Sequence, residues 1–152
     1  MTRRDGFSLI ELLTVVLLIG ILATLALFKY RDLRNNAVAA QMTGELRAVQ
    51  IAVLNYYAEK EEWPVETGPG AVPAGLGSLL PGQLAASLER GDYTLDYDSF
   101  GSAPGELVIG VSVTSPDPKL FAKFVRTVGD RAPFFVSGSA LTYLIAGPGG
   151  VF

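Results

Sequence analysis

Glu11 is the residue of this chain whose placement most needs a chemical explanation. It is the one charge in the run from Phe7 to Phe28, FSLIELLTVVLLIGILATLALF. A carboxylate inside such a segment costs on the order of 3 kcal/mol on insertion scales, less near an interface, so it calls for a cationic partner. The other groups able to do chemistry are acidic as well. Asp92, Asp96 and Asp98 could offer oxygens to a calcium ion, but their spacing lacks the EF-hand pattern. Glu59, Glu61, Glu62 and Glu66 could supply carboxylate pairs for glycoside hydrolysis, yet a charge cluster near the end of a helical pattern reads as a solvated surface. Gly68, Gly70, Gly75 and Gly77 follow a helical stretch instead of a strand, so they do not fit a phosphate-binding loop. The chain has no Cys and no His, which removes disulfides, thiol nucleophiles, imidazole bases and His or Cys metal ligands. With 12 Lys+Arg against 15 Asp+Glu and no basic block, it carries no electrostatic footprint for nucleic acid. No catalytic residue is assigned, and the chain reads as a non-enzyme.

The elements that must hold these groups follow from hydrophobic spacing. The 152 residues suit one domain with an appendage. The segment 7–28 would cover ~33 Å as a helix, against ~30 Å of hydrocarbon, and is long enough to span a bilayer. Past it, Ala39, Met42, Leu46, Val49, Val53 and Tyr56 recur at alternating spacings of three and four, an amphipathic stripe. The first Pro is Pro64, so one helix from near Phe7 to near Glu62 is expected. Gly20, within the apolar span, reads equally as a soft spot or as a place where neighbouring helices pack closely. The Gly/Pro-rich stretch after Trp63 and Pro64 is a connecting loop, with short helical turns expected at 76–80 and 83–88. From Asp92 the period becomes two, with Tyr93, Leu95 and Tyr97 on one face and Asp92, Thr94, Asp96 and Asp98 on a wet one. A second strand is expected at 107–113, after a turn over 99–105 that contains Gly101 and Pro104. A helix opening at Pro116 to Pro118 should end at Gly129. A hairpin should join 134–136 to 141–145 through the four-residue loop SGSA, leaving 147–152 as a frayed or loosely docked tail.

Arg3 and Arg4, then Gly6 and Phe7, then Glu11 standing fifth counting from Phe7, with an apolar span behind them, resemble the class III leader junction of type IV pilins and type II secretion pseudopilins. The resemblance implies cleavage between Gly6 and Phe7 by a prepilin peptidase, N-methylation of the new Phe7 amine, and retention of the apolar helix. It further implies a pilin-like α+β fold: a long N-terminal helix packed on a small antiparallel sheet of about four strands with an additional helix. The divisions expected are a leader at 1–6, a transmembrane helix at 7–29, its amphipathic continuation at 30–63 and a globular domain at 64–152. Implied partners are identical and homologous subunits, the assembly platform and the inner membrane, crossed once with a cytoplasmic N-terminus and a periplasmic C-terminal domain. Charge alone does not orient the span, since Lys29, Arg31 and Arg34 stand on its far side. In a bundle of parallel helices, Glu11 of one subunit could then pair with the Phe7 amine of its neighbour and set their register.

The missing cysteine pair, and the small domain, lean the expectation towards a pseudopilin of type II secretion. The competing class is an envelope binding or enzymatic module that uses the helix only as an anchor. Some pseudopilins hold calcium where pilins have a disulfide, which is the case for Asp92, Asp96 and Asp98 as ligands. A wet strand face accounts for the same trio without metal, and no cofactor is assigned. The family commonly has a Pro near the end of the span, where this chain has Phe28.

Overall fold

The structure, a computed structural model, describes residues 7–101, 107–129, 133–148 and 150–152. The leader with Gly6, and the Pro104 and Gly105 part of the expected turn, lie outside the described residues. The first element is helix α1, Leu9–Lys60, 52 residues without interruption. Two compact units divide it: one ends at Asn35 and the other is Asn36–Phe152.

In the first unit no described side chain is buried. The helix has no hydrophobic minority face there: large apolar residues from Leu9 to Phe28 are between 48% and 79% exposed all round it. Such a surface is suited to lipid or to other helices. Its hydroxyls are satisfied within the helix, Thr14 Oγ1 donating to the Ile10 carbonyl at 2.8 Å and Thr24 Oγ1 to that of Gly20 at 2.9 Å.

The second unit is built on the other half of α1. Ala39, Met42, Leu46, Val49 and Val53 are buried as the stripe requires, with Tyr56 half-buried, while Thr43 and Ala52 widen the buried face. The helix ends at Glu61, which takes a left-handed conformation (φ 57°) and donates its N–H to the Tyr57 carbonyl at 2.8 Å. The loop beyond carries a 3₁₀ turn at Gly82–Ala85 that seats Leu84 in the core.

Then come strands β1 (Glu89–Arg90), β2 (Tyr93–Phe100) and β3 (Val108–Thr114), helix α2 (Pro118–Val128), and strands β4 (Phe134–Ser137), β5 (Ala140–Gly147) and β6 (Gly150–Val151). The sheet is antiparallel throughout, in the order β1-β2-β3-β5-β4 with β6 on β5. It has six strands, not about four. The additions, β1 and β6, are two residues long and too short to leave an alternating pattern, and of the frayed or loosely docked tail expected at 147–152, β6 makes a docked one, paired with β5. The hairpin between β4 and β5 turns over Gly138 and Ser139 alone, tighter than the expected four-residue loop. Gly138 takes φ 60°, the positive value that a two-residue hairpin turn demands.

Leu95, Tyr97, Val111, Val113 and Leu141 share the sheet face that joins the core with α1, to which α2 adds Leu120 and Phe124. At the bulge between Ile109 and Gly110, strands β3 and β5 approach so closely that a Cβ on Gly110 would lie 2.9 Å from Thr142 Cγ2 and 3.1 Å from the Tyr143 carbonyl. Asp117 caps α2, its carboxylate accepting from the N–H groups of Lys119 and Leu120 at 2.8 and 3.4 Å, and Gly129 ends it.

Candidate functional site

The N-terminal end of α1 presents Phe7, 84% exposed, and Glu11, one helical turn in. Glu11 is not idle in the isolated chain. Its Oε2 accepts from the backbone N–H of Ser8 at 3.0 Å, while the Ser8 carbonyl accepts from the Glu11 and Leu12 N–H groups at 3.1 and 3.2 Å. Ser8 and Glu11 have the S-x-x-E spacing of a capping box, and the side chain of Glu11 makes the returning half of it. The local cap is a feature that sequence reasoning passed over, although the spacing that signals it was in plain view. It fixes the rotamer of the carboxylate and leaves Oε1 without a partner among the described residues. Gly6, the other half of the expected processing site, lies outside them.

The acidic trio is not brought together. Among the described residues no group of three metal-ligating side chains exists. Asp96 and Asp98 share the sheet face away from the core, and they are half-buried instead of wet. Asp98 accepts a short hydrogen bond from Ser112 Oγ. Because the single Ser112 proton is spent there, Thr142 Oγ1, 2.8 Å away, donates to Ser112. Burial pushes the Asp98 carboxyl up, against the pull of that bond. Burial likewise pushes Asp96 up, to about 6, with the charges of Asp98 and Glu66 adding to it and the N–H groups of Tyr97 and Gly70 partly offsetting them. The expected wet face is overturned because Asp98, Ser112 and Thr142 form a cross-strand hydrogen-bonded row, for which period-two spacing gives no warning. Glu66 also has a structural use, its Oε2 accepting from Ser99 N–H at 3.0 Å and Ser99 Oγ at 3.2 Å.

A second polar hub was not foreseen. Glu45 on α1 accepts from Arg90 Nε at 3.1 Å, Tyr93 O–H at 2.8 Å and Gln41 Nε2 at 3.0 Å, tying the helix to the sheet edge. Burial and the Glu45 hydrogen bond raise the Tyr93 phenol. The hub stands at the wall of an open cleft of about 360 Å³ lined by Gly44, Ala48 and the 81–84 turn. Its three donors match the carboxylate, so its evident work is structural.

Similarity to known proteins adds to this geometry. The prokaryotic N-terminal methylation motif matches residues 1–27. The chain is 43% identical over 142 residues to Fimbrial protein Q of Moraxella bovis, covering 93% of this chain and 80% of that protein. It is 30% identical over 104 residues to Fimbrial protein EcpC of Eikenella corrodens, 67% of this chain and 68% of that one. To a Type IV major pilin protein PilE1 of Neisseria gonorrhoeae it is 32% identical over 102 residues, 66% of this chain and 56% of the other. The chain spans between 37% and 56% of the length of the Neisseria relatives it matches. No solved structure is significantly similar.

Proposed function

The chain belongs to the type IV pilin family, and from that premise we propose that it is a structural subunit, cleaved between Gly6 and Phe7, that polymerises into a type IV pilus through its apolar helix. The observation that carries this reading is an apolar helix of bilayer length with no buried side chain, whose one acid stands four residues beyond Phe7. Hydrolysis of the Gly6–Phe7 bond leaves a carboxylate on the leader and an amine on Phe7, which then takes a methyl group from a methyl donor and gives up a proton. In a bundle of parallel helices the Phe7 ammonium of one copy meets the free Oε1 of a neighbour's Glu11. The Ser8 cap is kept, because it uses Oε2. Two charges that are costly in an apolar bundle become one neutral pair. Removing one partner of such a pair costs ~3–5 kcal/mol, so the contact selects register more than it adds stability.

Before assembly the subunit rests in the inner membrane, N-terminus in the cytoplasm and sheet domain outside. The fibre is favoured because the matched relatives are named fimbrial proteins and major pilins. The pseudopilus of type II secretion is the second reading, favoured by the absence of a cysteine pair. Co-expression with a prepilin peptidase tests the proposal. Mass spectrometry should find Phe7 as a methylated N-terminus and electron microscopy should find fibres. Recovery of the uncleaved chain alone would refute it.

A further inference from the structure

The outward face of α2 carries positive charge only. Lys119, Ala122 and Arg126 follow spacings of three and four, which puts them on one side of the helix, and all three are exposed. The acid nearest Lys119 in sequence, Asp117, is held as the helix cap, and Asp130, four residues past Arg126, lies outside the described residues. Among the described residues neither Lys119 nor Arg126 has a carboxylate partner. Lys123, on the same side, donates to Asn36 Oδ1 at 2.8 Å, which places this cationic face beside the Asn36 end of the domain's helix. The other end of that helix has the opposite sign. Glu59, Glu61 and Glu62 are exposed there against the single cation Lys60, and none of the three has an ion-pair partner among the described residues. Asn36 and Glu59 are 23 residues apart on one helix, or about 35 Å at 1.5 Å per residue. One folded domain thus presents a cationic patch at one end and an acidic patch at the other.

We infer that these two patches dock copies of this chain head to tail, the Glu59, Glu61 and Glu62 end of one against the Lys119 and Arg126 face of the next. The partner is a second copy because the two surfaces complement each other in charge. A two-fold contact would either set each patch against its like or turn the two domain helices antiparallel, and the parallel helices of the filament reading exclude the second. A head-to-tail contact is heterologous, and where its rotation does not close a ring it extends as an open filament, as the filament reading requires. Copies so joined have parallel α1 helices displaced by about the 35 Å that separates the patches. This rests on the filament reading above and adds to it the domain surface that sets which copies touch. The Glu11 contact selects register among the apolar helices, and the charged patches select it among the domains.

The test uses the full-length chain expressed with its assembly machinery. K119E/R126E on one side, and E59K/E61K/E62K on the other, should each lower sedimentable filament at least tenfold while the processed, membrane-held pool stays at the wild-type level. Carrying all five changes in one chain restores the complementarity and should recover most of the filament. Because the chain has no cysteine, A58C/A122C keeps every charge and should give a disulfide ladder in oxidised filaments. Wild-type yield from either reversal alone, no recovery on combining them, or filaments of A58C/A122C without a ladder would each overturn the inference. A wild-type chain that makes no filament refutes the proposed function instead, so the two failures are told apart.

Discussion

Residues 9–35 and 36–60 belong to the same helix, yet they solve opposite problems. The later half has a buried face and an exposed one, and its stripe ends in a core shared with β2, β3 and β5. The earlier half is apolar on every side from Leu12 to Phe28 and buries nothing within the described chain. A helix that carries the full cost of exposed Leu, Ile and Val without a partner of its own is built for a partner outside the chain. The comparison teaches that continuity of secondary structure says nothing about shared purpose: one half stabilises the fold and the other is available for assembly.

Four measurements on the detergent-solubilised or membrane-held full-length chain can break or sharpen this division. The largest effect is expected at Glu11. Glu11→Ala should abolish filaments, a loss of a hundredfold or more, while cleavage and the melting temperature of the domain stay unchanged. A shifted melting temperature would mean that the earlier half does stabilise the fold. Next is the pair Leu46→Ala and Leu17→Ala. Leu46 is 2% exposed and Leu17 is 61% exposed, so the first should cost ~2–5 kcal/mol of unfolding free energy and the second close to none. Comparable losses in denaturant titrations would erase the distinction.

Smaller again is Glu45→Ala. It leaves Arg90 and the Tyr93 hydroxyl without their acceptor and should cost ~1–3 kcal/mol, towards the low end because the adjacent cleft admits water. The smallest effect concerns Asp96, whose carboxyl is pushed from its ordinary 3.8 up to about 6. A raised carboxyl favours folding in its neutral form: the contribution is complete below pH 3.8 and is lost as pH rises through 6. The domain should therefore melt higher at pH 4 than at pH 7 as far as this group is concerned. Asp96→Asn should flatten that slope and add ~1 kcal/mol at pH 7, the shift being discounted for partial solvent screening. An unchanged slope would show that Asp96 ionises without penalty.

Much of this was legible in the chain. The stripe from Ala39 to Tyr56 dictated which side of α1 turns inward, because a period of 3.6 leaves no other face apolar. Tyr93, Leu95 and Tyr97 announced the inner face of β2 by alternation alone, and Pro118 and Gly129 bracketed α2. The lone acid at Glu11 was conspicuous against its surroundings, and so was its spacing from Phe7. Less visible were pairings whose partners are far apart in sequence. Glu45 finds Arg90 and Tyr93 across more than forty residues, and no local pattern marks an acid that a distant arginine will neutralise. Asp96 and Asp98 looked like solvent-facing residues, since alternation reports the two sides of a strand but not what lies on either side.

The residues by themselves determined that a bilayer-length helix begins the chain, that one carboxylate interrupts it, that its continuation must pack on a sheet, and that thiol and imidazole chemistry are absent. These follow from local physics: hydrophobic period, backbone propensity and the cost of a charge in an apolar run. Only the tertiary structure decided that two-residue strands extend the sheet to six, and that Asp98, Ser112 and Thr142 form one hydrogen-bonded row. It also decided that α2 lies at the Asn36 end of the domain, so that the two charged patches stand at opposite ends. Each of these depends on where the chain returns in space, and that is settled by the packing of the whole core, not by any stretch of neighbours.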